Sequence, residues 1–539
     1  MSLNDFLVYV PLSAIGIWRW TYWLIRRIGA ALYKPIKGVK LTSANRPTVT
    51  IVTPVFHEDP ALFNEALQSW IANGVDEIIA VIDKNVPGSN KNSHLMVLFE
   101  RDYVRKNHGR TKCKLIVRGG TGKRGALADG IGHAKGDIIA VVDSDTVWDA
   151  NVIAKSLPYF TNPSIGAVTV TQRISNPNTI SNVLFDMLLW SRYAEEVPFL
   201  LGMGNVFNTL SGRTALYRRE ALLNQKYDNM HHLRHEFFLG TRGVSGDDKR
   251  LTHLILEQGW HVAYAKGATV YTQGLGNART FLKQRLRWTR NGWRASLKAV
   301  KAGWVFKHPA LAYFILDGFI QPFFMLLGPI AFIFALIAKN WLVAGILVAW
   351  WILSRLIKLF GYFRAHPKRI IYLPSYIVYT YTNALLKIYA LGTLVEHSWA
   401  TRGHKKRKGV VRKFTIVGLG LAVTVGVLFV LSNFVSSLAR ESALDVPKPV
   451  PVAAESFKLS NSDSATIDAG QHPPAAAVDP SLVKAYVVQP GDTLTGISAK
   501  TCLSIQELKK INNIQSINHI DVGQTFYYYC PSVESGETE

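Results

Sequence analysis

Two acidic pairs in this chain are spaced for chemistry. Asp143-Ser144-Asp145 follows an apolar run, and Asp247-Asp248 follows Gly246. Mg²⁺ and Mn²⁺ favour carboxylate oxygens completed by substrate phosphates, so Asp143 and Asp145 could hold a metal that bridges a pyrophosphate. A lone Asp-x-Asp also reads as a solvated turn. Asp247 and Asp248 open a polar, helix-like run, where acids are favourable whatever the function. Paired carboxylates also raise one pKa toward the range of a general base. Between the pairs, Lys123-Arg124 follow Gly119-Gly120-Thr121-Gly122. Glycines admit a ligand to the backbone and the cations suit phosphate oxygens, although the Walker spacing is absent and an ordinary basic turn looks the same. Gln284-Arg285-Leu286-Arg287-Trp288 lies on an amphipathic stretch continued by Arg290, Trp293 and Arg294. Such a stretch is a basic interfacial helix anchored by Trp, and its indole can still cap a sugar while neighbouring cations hold phosphate.

Each motif is weak alone. In this order, with Thr53-Pro54 and Asp83 ahead of them and Ser211-Gly212 among them, they describe one site for a nucleoside diphosphate, a divalent metal and a base.

The elements that must position them read as α/β. Residues 48–53, 77–82, 114–117 and 137–142 are short runs rich in Val and Ile, with helical stretches and turns between them. Continuous apolar strands alternating with helices predict a parallel sheet covered on both faces. Ligands on such sheets bind at the carboxyl ends of the strands. Asp83 and Asp143 each stand one residue past such a run, so both should face one crevice.

The rest of the chain divides its chemistry between water and lipid. Of 539 residues, 48% are hydrophobic and 18% charged, and the net charge is +24. The Lys and Arg residues cluster beside apolar runs, as in Arg26-Arg27 and Lys405-Lys406-Arg407-Lys408, which suits cytoplasmic flanks of membrane helices rather than nucleic acid. Residues 6–25 predict a membrane helix and not a signal peptide, because the basic residues follow the apolar run. Residues 309–338 and 341–360 predict two spans, joined at Lys339-Asn340 and each long enough for a hydrocarbon core of about 30 Å. Residues 371–395 are apolar but Tyr-rich, with basic groups on both sides, and so are expected in the interface. Residues 414–436 predict the last span. A Pro-, Ala- and Ser-rich linker over 440–484 and a small domain at about 485–531 follow.

In combination the motifs resemble the processive family 2 glycosyltransferases, the group of hyaluronan, cellulose and chitin synthases, over about residues 45–403. The resemblance implies a GT-A-like α/β domain that takes a UDP-sugar with Mg²⁺ or Mn²⁺. It implies that Thr53, Pro54 and Asp83 meet the nucleotide, that Lys123 and Arg124 bind the donor, and that Asp143 and Asp145 serve nucleotide and metal. Gly246-Asp247-Asp248 resembles the hyaluronan branch, whose second Asp is the base. Gln284, Arg287 and Trp288 match the QxxRW motif that holds the acceptor end and the diphosphate. Ser211-Gly212 with Tyr217-Arg218 resembles that branch's acceptor segment, and Trp399-Ala400-Thr401-Arg402 its WGTR segment, with Ala in place of Gly. Hyaluronan synthases usually carry two N-terminal spans, against one here, and often a cysteine where Thr209-Leu210 stand.

The stretch 486–494, with 505–512 and 522–525, resembles a LysM module of β-α-α-β fold. The resemblance implies binding to peptidoglycan or another N-acetylglucosamine-containing glycan, through the loop after Gly491-Asp492-Thr493 and the loop before Val522. A small module outside the inner membrane gains from a staple, so a Cys502–Cys530 disulfide is expected, with Cys113 reduced in the cytoplasm. The organisation expected is a membrane helix at 1–27, a cytoplasmic transferase at 45–300, membrane and interfacial helices at 301–438, a linker at 439–484 and a periplasmic LysM domain at 485–531. This describes a multi-pass bacterial inner-membrane enzyme that extends a growing polysaccharide among membrane lipids and exports it. The alternatives are a non-processive transferase acting on a lipid carrier, and an inert wall-anchoring scaffold.

Overall fold

The computed structural model describes residues 3–396 and 484–528. Exceptions are positions 37, 40, 43–44, 85–89, 120–121, 225, 243–244, 490–491, 502 and 513–521. The chain divides into two compact units, Met1–Pro447 and Lys448–Glu539.

The first unit is built on an eight-stranded, mostly parallel sheet. Its strands are β1 (Val49–Val55), β2 (Glu77–Asp83), β3 (Lys112–Arg118), β4 (Ile138–Val142), β5 (Thr146–Trp148), β6 (Ile165–Ser175) and β7 (Thr214–Arg218). A separate short hairpin, β8 (Phe237–Phe238) and β9 (Thr241–Arg242), precedes the last strand, β10 (His261–Gln273). The sheet order is β3-β2-β1-β4-β7-β6-β10-β5. β3, β2, β1 and β4 run parallel, while β7 is antiparallel to both β4 and β6. β1, β2 and β4 are buried nearly throughout, as continuous apolar runs covered on both faces must be. One apolar cluster, including Val52, Val81 and Val141, fills one side of the sheet, and Ile51, Ile78 and Ala140 belong to the cluster on the other.

All four expected strands are present, with shifted ends. β1 runs on through Thr53 and Pro54 to Val55, so Thr53 is buried within the sheet. Asp83 is the last residue of β2 rather than the first beyond it.

Two helices, Pro309–Ile337 and Trp341–Ala365, are long and apolar enough to cross a membrane. Lys339 turns the chain between them, and Asn340 caps the second by accepting from Val343 N at 3.2 Å. The N-terminal segment forms one helix, Leu3–Ala31, and lies outside that pair. Arg19 pairs with Asp317 of the Pro309–Ile337 helix, and Arg26 with Glu195 at 2.9 Å. The helix Leu373–Gly392 covers most of the expected interfacial segment. The expected last span, the linker and Trp399–Arg402 lie outside the described residues.

In the second unit, Lys484–Val487 pairs antiparallel with Thr525–Tyr528. Thr493 caps the helix Leu494–Lys500, and Ser504 with Glu507 forms a capping box on Ile505–Ile511. Val488, Leu494, Ile497, Leu503, Leu508 and Phe526 form its core. Directly after Thr493, where the first glycan loop is expected, the chain enters the helix Leu494–Lys500. Ahead of it, the Asp492 carboxylate accepts from Gln489 N at 2.8 Å and Tyr486 Oη at 2.7 Å and pairs with Lys500 at 3.0 Å. Most of the second expected loop, and both Cys502 and Cys530, lie outside the described residues. Cys113 is a half-buried free thiol on β3, and burial pushes its pKa up to about 12.

Candidate active site

The carboxyl ends of β1, β2 and β4 open into a cavity of about 1320 Å³. Pro54, Asp83, Lys123, Arg124, Asp143, Asp145, Asp247, Asp248, Gln284, Arg287 and Trp288 all line it. Thr53 is not in the wall, because the longer β1 keeps it in the sheet.

At the centre stands Lys123, the second residue of the helix Gly122–His133. Its Nζ lies 2.8 Å from Asp143 Oδ1 and 2.9 Å from Asp247 Oδ2. Burial works against its charge, but the two carboxylates outweigh burial and hold the pKa above the usual lysine range. The acidic pair opens the helix Asp247–Glu257, with Gly246 before it at φ +82°. That left-handed conformation suits glycine and turns both acids into the crevice. The pair splits in pKa. Burial pushes Asp247 up, but Lys123 overrides this and holds it low. Asp248 is raised by burial and by the charge of Asp247. The two neighbouring acids thus sit in environments that push their pKa values apart.

Gly212 packs on this cluster. A Cβ there would stand 3.4 Å from Lys123 Nζ, 3.5 Å from Asp247 Oδ2 and 3.5 Å from Asp248 Cβ. Ser211 and Arg213 also line the cavity, whereas Tyr217 and Arg218 do not. Arg218 is bonded to the carbonyls of Phe160, Asn162 and Ile165. Only the first half of the expected acceptor segment thus reaches the site.

Gln284, Arg287 and Trp288 stand at i, i+3 and i+4 on the helix Ala278–Ala302, and so on one face. Asn277 caps this helix by accepting from Thr280 N at 2.9 Å. The Trp288 ring lies 5.6 Å from that of Phe185. The buried Gln284 Oε1 has no hydrogen-bond partner among the described residues.

Arg213 was not singled out from the sequence. Its guanidinium lies 4.9 Å from the Phe185 ring centroid and 5.8 Å from that of Trp288. Burial lowers its pKa, and Asp145 and Asp143 oppose that shift. The available signal was its position next to Ser211-Gly212. Glu58 is a second omission. It accepts from Ser144 Oγ at 2.9 Å, fixing the residue between the two metal-type aspartates. Arg124 reaches the wall but directs its guanidinium to Glu236 and to the carbonyls of Ser245 and Gly246.

Among the described residues no three His, Cys, Asp or Glu side chains converge as a metal cage. Asp143 and Asp145 at one cavity wall suit a hard cation whose remaining ligands are substrate phosphates and water. The cavity also continues past the sheet to Asp317, Gln321 and Lys387, where Lys387 Nζ donates to Gln321 Oε1 at 2.9 Å.

Residues 47–291 match the model of the glycosyltransferase-like family 2, and residues 486–527 match that of the LysM domain. The chain carries a family 2 glycosyltransferase domain and a LysM domain. It is an enzyme of the glycosyltransferase class. A type 2 glycosyltransferase of Zymoseptoria tritici is 26% identical over 69% of this chain and 78% of its own length. An N-acetylglucosaminyltransferase of Rhizobium leguminosarum bv. viciae is 28% identical over 66% and 82%. A hyaluronan synthase of Streptococcus pyogenes is 26% identical over 75% of this chain and 95% of its own. In this glycosyltransferase the sheet is the GT-A-like part, and Asp83, Asp143, Asp145, Asp247 and Asp248 lie within the matched segment.

Proposed function

We propose that this family 2 glycosyltransferase is a multi-pass membrane enzyme that polymerises sugar from a UDP-sugar, with inversion, and passes the chain outward. The observation that carries the reading is the single cavity. It joins the acidic and basic groups at the strand ends to Asp317, Gln321 and Lys387 on the helices beyond. A transferase adding one sugar to a lipid carrier needs the first part, whereas an extending polysaccharide needs both. The relatives named for N-acetylglucosamine transfer make UDP-N-acetylglucosamine the first donor to try.

Asp248 takes the proton of the acceptor hydroxyl. The oxygen attacks the anomeric carbon from the face opposite the leaving group, the bond to the diphosphate breaks, and UDP departs. Lys123, Arg213 and Arg287 stand where negative charge grows on that diphosphate, and preorganised cations act most strongly in a site shielded from water. Asp143 and Asp145 would hold Mg²⁺ or Mn²⁺, which supplies Lewis-acid stabilisation of the leaving phosphates. Trp288 offers its face to the acceptor sugar, and Asp83 and Pro54 line the nucleotide end. Arg124 supports the loop before the base rather than the donor.

The domain organisation follows: a cytoplasmic transferase at 45–300, membrane and interfacial helices around it, and a LysM module at 485–531 outside the bacterial inner membrane, on peptidoglycan or another N-acetylglucosamine glycan. The test is product analysis with the purified full chain in lipid and a panel of UDP-sugars. Long chains from one donor or a pair of donors support polymerisation, and a single added sugar refutes it. Absence of any UDP release with every donor points instead to an inert scaffold.

A further inference from the structure

Glu236 stands just ahead of β8, outside the cavity wall, and meets cations from three elements. Arg124 comes from the helix Gly122–His133, Lys298 from Ala278–Ala302 at 3.1 Å, and Arg250 from the helix that bears Asp248 at 3.6 Å. Arg124 is only 5% exposed, so a carboxylate partner is needed to hold its charge there. The same guanidinium donates to Ser245 O at 2.8 Å and Gly246 O at 3.1 Å. Those two carbonyls immediately precede Asp247 and Asp248. Asn291 closes the other side of this loop, with its Oδ1 3.0 Å from Ser245 Oγ. Among the described residues, Arg124 is the one whose cationic side chain on Glu236 also bonds the loop carbonyls; Gly246 O further accepts the helical backbone N–H of Arg250 at 3.1 Å.

We propose that Glu236 is a positioning residue for glycosyl transfer. By fixing Arg124 across the carbonyls of Ser245 and Gly246, it sets where Asp248 stands relative to the acceptor hydroxyl. A guanidinium without this partner can rotate off the two carbonyls, and the turn into the base helix loses its brace. Positional errors near 1 Å at a reacting group cost rate steeply. The inference rests on the reading of Asp248 as the base.

The experiment uses the full chain in lipid, with kcat measured by UDP release and UDP affinity by calorimetry. Glu236→Gln should lower kcat at least tenfold while UDP affinity stays within twofold. Arg124→Lys keeps the charge but loses the fork, and should do the same. The double variant should be no slower than the slower single, because both act through one contact. Lys298→Met, which touches Glu236 but not the loop, should keep kcat within twofold. Losses that multiply in the double variant, a matching loss of UDP affinity, or an equal loss of kcat in Lys298→Met would each overturn the proposal. If Glu236→Gln does not fold, Glu236→Asp takes its place in the same cycle. Asp248→Asn is measured alongside. Full turnover there sinks the base assignment, whereas additivity between positions 124 and 236 sinks this inference alone.

Discussion

Lys123 Nζ bridges Asp143 Oδ1 at 2.8 Å and Asp247 Oδ2 at 2.9 Å, so one ammonium joins the acid at the end of β4 to the acidic pair that opens the helix Asp247–Glu257. The two acids lie far apart in sequence, and β4 and the base helix present them to the same point. Lys123→Met should therefore damage both functions. It leaves the buried Asp247 carboxylate without its cation, which costs about 3–5 kcal/mol where a buried pair is broken, and also frees the partly exposed Asp143. We expect a lower melting temperature, weaker UDP binding and a loss of turnover together. A variant that loses turnover but keeps both melting temperature and UDP affinity would contradict the bridge.

The acids separate by role. Asp248→Asn should reduce transfer by about 10²–10⁴, the usual contribution of a general base, and leave UDP affinity largely intact. Asp145→Asn should instead weaken metal-dependent UDP binding, read by titration with Mn²⁺ present and absent. Unchanged UDP affinity in Asp145→Asn removes its assignment to the metal.

Gly212 tests the space above the base. An added methyl would reach ordinary contact distance from Lys123, Asp247 and Asp248 without forcing the backbone. Gly212→Ala should fold normally and raise the acceptor KM or lower kcat by occupying the approach to Asp248, and Gly212→Val should be worse. Wild-type kinetics in Gly212→Val would place the acceptor elsewhere.

Arg213 should contribute to donor binding although no motif marked it. Arg213→Met keeps an apolar stem against Phe185 and Trp288 and removes the charge. UDP affinity should fall by about tenfold, the worth of one charge-assisted hydrogen bond. Equal affinity by calorimetry would leave Arg213 a structural cation facing Asp143 and Asp145.

Two losses on acidification follow, one read in activity and one in stability. Asp248 has a raised pKa, so activity should fall as pH drops through a value above the ordinary carboxylate range, and Asp248→Asn should abolish that limb. Glu236 has a lowered pKa. Burial opposes its charge, but Arg124, Arg250 and Lys298 outweigh burial and bring it from 4.5 to about 2. A depressed acid stabilises the fold fully above its unfolded pKa and loses that stabilisation as pH falls through its folded one. The contribution, on the order of 3 kcal/mol, should thus vanish between those two values. Thermal unfolding in that window should show a smaller acid loss for Glu236→Gln than for the parent chain.

The sequence by itself determined the reaction class and the parallel half of the sheet, β1 to β4. Apolar runs with flanking acids specify strands and their carboxyl ends, because burial on both faces demands continuous Val and Ile. The side-chain types at 83, 123, 143, 145, 247, 248 and 284–288 suit one chemistry only when taken together. Tertiary structure decided what local pattern cannot carry. Whether Thr53 faces the crevice depends on where β1 stops, and pairing with β2 extends that strand to Val55. Whether Arg124 binds ligand or braces a loop depends on Glu236, 112 residues away. Arg213 enters the site, and Arg218 leaves it, because β7 runs antiparallel between β4 and β6 and points its two ends to opposite edges of the sheet. Charge and hydrogen-bond partners come from distant segments, so their roles are fixed only when the chain folds.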